Sequence, residues 1–298
     1  MMVYQVIKTL TYKITKKHKS NMYQITDSEF NTLKELVLKT LGIRLSDSKK
    51  VLVISRFSSK LRELKINTFQ EYISYLNKCA EPAREMEDLI NRITTNETSF
   101  FREFKHFEYM TEVLLPHIQN EKKTLSDSKE MRIWSSACSS GEEPYSIAMT
   151  MSEYNEHNPT IKFKILATDV NTEVLEEAYH GIYDEKNLGK HVHANKYYKY
   201  FDRLSGGKIK VKDNIKSKIS FRKLNLMDQR YPIKEQMDLI FCRNVMIYFS
   251  EEMKSHVLKM FHNYLKDTGT LFVGHSENLF MYKDIYKFQQ NTIYSKVF

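Results

Sequence analysis

The stretch MRIWSSACSSGEEPYS, residues 131–146, decides the fold. Its first four residues form a short apolar run that predicts a buried strand, and Pro144 suits the first turn of a helix. Between them lie small residues and Gly141, which let the backbone approach a bound ligand closely. A strand, a small-residue turn and a helix N-terminus in this order predict a ligand-binding loop at the edge of an α/β sheet.

Apolar runs of the same kind recur along the rest of the chain. They are FKILAT (163–168), MDLIFC (237–242) and TLFVG (270–274). Stretches with helical period are predicted at 144–154, 172–180 and 250–265. This alternation predicts an α/β fold with a doubly wound, mostly parallel sheet. The polar stretch at 286–298 predicts an antiparallel pair that closes the sheet.

The chain before residue 95 has helical period only. Two pairs with capping-box spacing mark helix starts, Thr26 with Glu29 and Thr68 with Glu71. We predict a small all-helical N-terminal domain over 22–94 and an α/β domain over 95–298. Glycines and period-2 alternation at 197–221 predict a β subdomain inserted in the second domain, with a plain surface hairpin as the alternative.

Composition and charge narrow the location and the ligand class. The chain has no apolar run of the roughly 18 residues that a membrane span needs, and lysines interrupt its first twenty residues, so we expect a cytoplasmic protein. Five lysines precede the first acid, namely Lys8, Lys13, Lys16, Lys17 and Lys19. They supply more than half of the formal net charge of +9, and we predict a disordered basic tail over 1–21. The charge therefore gives little support to a nucleic-acid partner.

The cysteines Cys79, Cys138 and Cys242 are far apart and form no CxxC pair. This spacing favours neither a disulfide framework nor a cysteine-rich zinc site. Because no cluster of histidine and cysteine has metal-ligand spacing either, we predict that the protein holds no metal.

Candidate binding residues lie in the loops after the predicted strands, because doubly wound sheets bind ligands at the carboxyl ends of their strands. Glu142 and Glu143 follow the first strand, where acids would repel a pyrophosphate and suit a cationic ammonium. Asp169 ends the second strand, where a carboxylate accepts hydrogen bonds from ribose hydroxyls, with a helix N-cap as the alternative role. Polar groups also accompany the later strands, namely Asn225, Arg243 and Asn244.

Four segments of the chain resemble one protein family in their order and spacing. They are NETSFFREFKHF (96–107), WSSACSSGEEPYSIAM (134–149), ATDVN (167–171) and FCRNVMIYF (241–249). From about Met22 onward, the chain resembles the CheR family of chemotaxis receptor glutamate methyltransferases. The resemblance implies a Rossmann-like class I methyltransferase that uses S-adenosylmethionine and releases S-adenosylhomocysteine. The basic tail before Met22 is not part of the family pattern.

The resemblance also implies which residues act. Cofactor contacts fall on Asn96, Thr98, Arg102, Asp169, Asn225, Leu226, Arg243 and Asn244, and on Glu142 or Glu143. Arg102 is also the candidate that holds the substrate carboxylate by a bidentate hydrogen bond. Tyr248 is a second candidate in the catalytic site, with packing against the following helix as its alternative role. A glutamate is already ionised near neutrality, so methyl transfer needs alignment and exclusion of water rather than a general base.

The implied partners are the cytoplasmic helices of chemotaxis receptors, which are rich in acids. Lys49, Arg56 and Lys60 are spaced for one face of a basic helix that complements such a partner, with a solvated charged face as the alternative. We expect a monomer with no nucleic-acid partner and no direct membrane insertion. One rival function is nucleic-acid methylation, but the chain has no NPPY-like tetrapeptide. The other is a non-catalytic cofactor-binding module, which would lack Arg102 or the acidic loop.

Overall fold

The computed structural model describes residues 23–124, 130–158, 161–189, 191–192 and 194–297. The chain divides into two compact units. The first contains the described residues up to Leu36 and Leu45–Ile93, and the second contains Val37–Arg44 and the chain from Thr94 onward. The basic tail predicted at 1–21 lies outside the described residues, so its disorder stays a prediction.

The N-terminal region is helical, as predicted. Its helices are α1 (Asp27–Leu41), α2 (Lys50–Glu63), α3 (Phe69–Leu76) and α4 (Pro82–Ile93). Both predicted caps form, because the Glu29 amide donates to Thr26 Oγ1 (3.2 Å) and the Glu71 amide donates to Thr68 Oγ1 (3.1 Å). The fully buried side chains of the first unit include Val53, Phe57, Leu61, Phe69, Tyr72 and Leu89.

The second unit has the alternating strands and helices of an α/β domain. It opens with α5 (Lys105–Tyr109), a π-helical turn (Met110–Leu114) and α6 (Leu115–Thr124). Its strands are β1 (Met131–Ser135), β2 (Phe163–Asp169), β3 (Ile182–Asp184), β4 (Phe201–Arg203), β5 (Lys208–Val211), β6 (Ile219–Lys223), β7 (Met237–Cys242), β8 (Leu265–Val273), β9 (Tyr286–Gln290) and β10 (Ile293–Lys296). Its other helices are α7 (Glu142–His157), α8 (Thr172–His180), α9 (Ala194–Tyr200), α10 (Asp213–Lys216) and α11 (Glu251–Tyr264). None of the helices in the described ranges combines the length and the apolar character that crossing a bilayer requires.

Seven strands form one sheet in the order β6-β2-β1-β7-β8-β10-β9. β1 lies inside this sheet and runs parallel to both β2 and β7, while β8 runs parallel to β7. β10 pairs antiparallel with β8 and with β9. These pairings confirm the predicted doubly wound, mostly parallel sheet and its antiparallel C-terminal pair.

Trp134 anchors the middle of the sheet. Its indole is fully buried and donates a hydrogen bond to Thr168 Oγ1 (2.9 Å), while its ring packs edge-on against Phe261 at a centroid distance of 5.2 Å. β1, β2 and α11 therefore meet at this side chain. Because β1, β2 and β7 are parallel, the loops that follow them leave the sheet at the same edge.

The inserted β subdomain is a three-stranded antiparallel sheet with the order β3-β5-β4. The stretch predicted to form it, 197–221, is divided differently in the structure. Ile219–Lys223 is the edge strand β6 of the main sheet and pairs in parallel with β2, whereas Ile182–Asp184 contributes the third strand of the insert. An edge strand with one half-buried face alternates in the same way as a hairpin strand, so the period alone does not separate the two.

Candidate active site

The loop after β1 closes tightly onto α8. Gly141, the last residue of this loop, has φ of +97°, and a Cβ there would meet Ala178 Cβ at 2.8 Å and Tyr183 Oη at 3.0 Å. Glycine is therefore required by both conformation and space. α7 begins at Glu142, two residues before the predicted start at Pro144. The first amides of α7 consequently lie at the carboxyl edge of the sheet, where the sequence predicts the ligand.

Asp169, the last residue of β2, connects two of the edge loops. Its buried carboxylate accepts hydrogen bonds from the amides of Ser139 (2.8 Å) and Asn171 (3.0 Å). Burial raises the pKa of Asp169, and the backbone hydrogen bonds oppose that rise. The cap of α8 is Asn171, whose Oδ1 accepts from the amides of Glu173 and Val174, so the alternative N-cap role of Asp169 is wrong.

Arg243, directly after β7, joins three segments of the site. Its Nη1 donates to the Glu143 carboxylate (2.9 Å), and its Nη2 donates to Glu103 Oε2 (3.0 Å) and to the carbonyl oxygen of Arg102. The Arg243 side chain is only 2% exposed, and the carboxylates of Glu103 and Glu143 neutralise its charge inside the protein. The predicted adenine-side residue Arg243 thus holds the Arg102 segment against the loop after β1.

The two acids at the start of α7 differ in their partners. Glu143 accepts from Ser135 Oγ (2.7 Å) and from Arg243. Glu142 accepts from Ser140 Oγ (2.7 Å) and has no cationic partner within the described part of the chain. Burial raises the pKa of Glu142. The negative charge that the protein leaves uncompensated at this loop therefore belongs to Glu142.

Glu103 is an acid of this site that was not predicted from the sequence. Its Oε1 accepts from Asn244 Nδ2 (2.9 Å) and from the His275 amide (3.1 Å), and its Oε2 accepts from Arg243. Burial opposes ionisation of Glu103, but Arg243 and these N–H donors outweigh burial and lower its pKa to about 2. Glu103 is thus a permanent carboxylate that links the loop before α5 to the loops after β7 and β8.

Glu103, His106 and His275 each place one atom with metal-ligand character within 4.8 Å of the others. The His106 ring is buried beside the carbonyl oxygen of Asn291 (2.6 Å from Nε2), and burial, with Arg243 adding to it, lowers the pKa of His106 to about 4. The Glu103 oxygens are already filled by hydrogen bonds, and Arg243 on the same carboxylate would repel a metal cation. This geometry gives a metal little support, and the absence of a metal stays a prediction.

Arg102 lies on a loop with an unusual backbone. Phe101 and Glu103 both have positive φ, 54° and 56°, a conformation that non-glycine residues adopt only when their surroundings hold it. The Phe101 amide donates to Ser146 Oγ of α7 (2.8 Å). Arg102 Nη1 donates to the carbonyl oxygen of Glu97 (2.8 Å), the one hydrogen-bond partner of this guanidinium among the described residues. The backbone of Arg102 is therefore fixed, while its guanidinium keeps donors for a further acceptor.

Four further predicted residues occupy the same unit with different degrees of engagement. The carbonyl oxygen of Asn96 accepts from Ser139 Oγ (2.9 Å), and Thr98 is half-buried two residues later. Asn225 donates from Nδ2 to the carbonyl oxygen of Thr40 (2.9 Å). Leu226 is 7% exposed and packs in the core on the α11 side of the sheet. The start of the segment 96–107 thus lies against the loop after β1, while the Asn225 side-chain amide donates within the protein.

Asn244 and Tyr248 bracket the turn after β7. Asn244 has φ of +59°, and its amide donates to Glu277 Oε2 (2.9 Å). Tyr248 ends a 3₁₀ turn (Met246–Tyr248), and its carbonyl oxygen accepts from the Arg44 amide (2.7 Å). The Tyr248 ring is half-buried. Its catalytic role stays a prediction.

The structure brings most of the predicted site together at the carboxyl edge of the sheet. Hydrogen bonds link the segments that carry Asn96, Arg102, Glu143, Asp169, Arg243 and Asn244. Glu103 and Glu277, which connect these segments, were not predicted from the sequence. Glu277 could have been predicted, because it follows the strand TLFVG and therefore belongs to a loop at the same edge of the sheet.

The three predicted receptor-binding cations do not form one exposed stripe. Lys49 ends a 3₁₀ turn before α2. Arg56 Nη1 donates to the carbonyl oxygen of Ile93 at the end of α4 (3.2 Å). Lys60 is 6% exposed, and its Nζ lies 2.8 Å from Glu85. The exposure expected for Lys60 is therefore wrong, because its ammonium is paired inside the helical unit.

Two family profiles together match most of the chain. The profile described as "CheR methyltransferase, SAM binding domain" matches residues 96–295, and the profile described as "CheR methyltransferase, all-alpha domain" matches residues 28–94. Among solved structures, a TehB-like SAM-dependent methyltransferase from Corynebacterium glutamicum is 12% identical, with a TM-score of 0.34 over 65% of this chain and 99% of that chain.

Curated relatives are similar to this chain over nearly their whole length. A chemotaxis protein methyltransferase of Borreliella burgdorferi is 45% identical over 269 residues, which are 89% of this chain and 93% of that protein. A chemotaxis protein methyltransferase of Escherichia coli is 36% identical over 274 residues, which are 91% of both proteins. The chain therefore belongs to the CheR methyltransferase family and carries its S-adenosylmethionine-binding domain.

Proposed function

We propose that this protein transfers the methyl group of S-adenosylmethionine to glutamate side chains of chemotaxis receptors and so forms glutamate methyl esters. The observation that carries the proposal is the state of Arg102. Its backbone is held by Arg243, and its guanidinium has one carbonyl partner among the described residues. An arginine with donors to spare beside a cofactor loop suits a carboxylate acceptor, which it holds in two parallel hydrogen bonds.

For methyl transfer to a carboxylate, the protein mainly has to align the two reactants. A carboxylate oxygen of the acceptor forms a bond to the methyl carbon while the carbon–sulfur bond of the sulfonium breaks, and its electron pair stays on sulfur as the thioether of S-adenosylhomocysteine. The acceptor carboxylate is already ionised at neutral pH, so no proton has to be removed. Fixed approach of the two reactants is worth roughly 7 to 11 kcal/mol of the barrier. In our proposal Arg102 orients the acceptor, and Tyr248 lines the same pocket.

We assign each part of the cofactor to residues in the loops at the carboxyl edge of the sheet. Glu142 supplies a negative charge that complements the ammonium of the methionine part, Glu143 beside it is held by Arg243, and Asp169 accepts from the ribose hydroxyls. Asn96 and Thr98, in the segment 96–107, contact the methionine part as well. Leu226 and Asn244 contact the adenine. For Asn225 and Arg243, whose side chains are engaged within the protein, we propose roles in holding these loops.

The receptor would meet the protein in the cytoplasm, where the methylated helices lie. We keep Lys49 and Arg56 as cations of the helical unit that complement an acidic helix. Lys60 is left out of this surface because Glu85 and Asp88 neutralise it within the unit.

The test is to incubate the protein with cofactor labelled in its methyl group and three acceptors: membranes rich in chemotaxis receptors, the same membranes without receptors, and nucleic acid. We expect label only on receptors, and we expect mild base to release it, because carboxyl methyl esters hydrolyse easily. Label on nucleic acid, or receptor label that resists base, would overturn the proposal. Binding of cofactor without label on any acceptor would favour a non-catalytic module.

A further inference from the structure

Glu277 is a buried acid whose partners are backbone amides. It lies four residues after the end of β8 and is 5% exposed. Its Oε2 accepts from the amides of Gly274 (2.6 Å) and Asn244 (2.9 Å). Its Oε1 accepts from the amides of Val245 (3.0 Å), Met246 (2.7 Å) and Ile247 (3.3 Å). One carboxylate thus holds every amide of the turn from 244 to 247.

The backbone of this turn is shaped around an anion. Asn244 has φ of +59°, and successive amides that point to one side form a concave anion site in such a conformation. Gly274 completes the arrangement, because a Cβ there would meet Asn244 Nδ2 at 2.6 Å and Glu277 Oε2 at 2.8 Å. The Glu277 carboxylate is therefore the anion that occupies this site.

The turn that Glu277 holds separates two residues of the proposed active site. Arg243 lies before it and clamps Glu103 and Glu143, while Tyr248 lies after it. No other side chain within the described ranges accepts hydrogen bonds from the amides of 244–247. A change in this turn would thus move Arg243 and Tyr248 relative to each other.

Burial disfavours the ionised form of Glu277, so hydrogen bonds from the backbone amides are needed to stabilise its carboxylate. Burial raises the pKa of Glu277, and the hydrogen bonds from Gly274, Asn244, Met246 and Ile247 oppose that rise. A glutamine has nearly the same shape but presents an NH₂ group in place of one oxygen. That group would face amide donors with a donor of its own, which leaves several buried N–H groups without an acceptor.

We propose that Glu277 is a positioning residue for methyl transfer, which fixes the Arg243–Tyr248 turn through its backbone amides and thereby sets the geometry of the cofactor and acceptor pockets. The inference rests on the proposed function for its catalytic part only. That Glu277 fixes the turn at 244–247 does not depend on which substrate is methylated.

The test compares Glu277→Gln with Glu251→Gln, a matched control in which an exposed acid of α11 loses its charge. Hydrogen exchange of the peptide that contains 244–247 reports the hold directly and needs no substrate. Calorimetry with S-adenosylhomocysteine reports the cofactor pocket. Turnover at saturating cofactor and receptor, with the Michaelis constant of each, is measured well below the melting temperature, so that loss of folded protein does not enter.

In Glu277→Gln we expect faster exchange in 244–247, unchanged exchange in α7, and turnover lowered by roughly 10- to 100-fold, the scale of a misplaced reacting group. Adding Glu277→Gln to Tyr248→Phe should then cost less than Glu277→Gln costs alone, because part of the effect of Glu277→Gln is to displace the hydroxyl that Tyr248→Phe has already removed. Glu251→Gln should match the parent. Unchanged exchange in 244–247, or a loss of turnover that fully adds to that of Tyr248→Phe, would overturn the inference.

A second variant keeps the inference testable if Glu277→Gln does not fold. Glu277→Asp retains the charge but shortens the side chain by one methylene, so one carboxylate no longer reaches all the amides of Gly274 and 244–247, and we expect faster exchange in 244–247 and lower turnover, both to a smaller extent. Normal exchange in this variant would overturn the inference. If the parent itself fails to methylate receptors, the proposed function fails, and the exchange data still decide whether Glu277 holds the turn.

Discussion

At the scale of single residues, Arg102 separates an alignment mechanism from simple cofactor capture. Arg102→Lys retains the charge but loses the planar fork, so turnover should fall much more than cofactor affinity does. Calorimetry with S-adenosylhomocysteine and methyl transfer to receptors, measured on one preparation, give the two quantities. Arg222→Lys is the matched control, because Arg222 is an exposed arginine that also donates to a carbonyl oxygen, that of Phe221. Turnover at the parent value in Arg102→Lys would contradict the alignment role.

Asp169 offers the corresponding test on the cofactor side. Asp169→Ala should weaken cofactor binding by about 1.5 to 3 kcal/mol, the range for hydrogen bonds to a charged group. The fold should persist, since Asn171 caps α8. Calorimetry and a thermal melt check the two parts. Collapse of the fold would mean that the hydrogen bonds from Ser139 and Asn171 are the main work of this carboxylate.

Residue identities were easier to predict than residue partners. The position of Asp169 at a strand end follows from the apolar run before it, and the structure places it there. The pairing of Arg243 with Glu103 and Glu143 does not follow from the sequence, because 140 and 100 residues separate the partners. Long-range ion pairs are set by the folded topology, which a single sequence does not display.

At the scale of elements, α2 and α4 are joined by a buried ion pair. Lys60 reaches Glu85 (2.8 Å) and Asp88 (3.5 Å), with its side chain 8% exposed. Lys60→Met should lower the free energy of unfolding by about 3 kcal/mol, the low end for removing one partner of a buried pair, since Asp88 keeps Arg92.

Urea unfolding of Lys60→Met beside Lys49→Ala measures this effect. Lys49→Ala should lie within about 0.5 kcal/mol of the parent, as surface substitutions usually do. A Lys60→Met protein as stable as the parent would show that the ion pair contributes nothing to the free energy of unfolding.

Elements with strong period were predicted well, and short or one-sided ones were not. α8 has the predicted bounds, Thr172–His180, and Ser250, the first residue of the helix predicted at 250–265, caps α11. β3 has three residues, too few for a period to appear, and β6 looks like a hairpin strand because half of it faces solvent. The boundary between the insert and the main sheet therefore depends on strand pairing rather than on local sequence.

At the scale of the whole molecule, the acids buried at the carboxyl edge of the sheet have pKa values shifted in both directions. The pKa values of Glu142, Asp169 and Glu277 are raised by burial, so ionisation of these groups weakens the fold without a bound cation. Glu103 acts in the opposite direction, because Arg243 outweighs burial there.

The Glu103 carboxylate should make the stability of the fold depend on pH. Its folded-state pKa of about 2 lies below its usual value, so the carboxylate stabilises the fold fully above the unfolded pKa of about 4.3 and loses this effect as the pH falls toward 2. Glu103→Gln, which leaves Arg243 without one of its two carboxylates, should therefore be less stable than the parent near neutrality. The difference should shrink steadily below pH 4.3, because protonation makes the parent resemble the variant. Urea unfolding at intervals from pH 7 to pH 3 measures the difference, with Glu251→Gln as an exposed control. A difference that stays constant over this range would mean that Glu103 stabilises the protein by shape and neutral hydrogen bonding, and that its charge pairing with Arg243 contributes nothing.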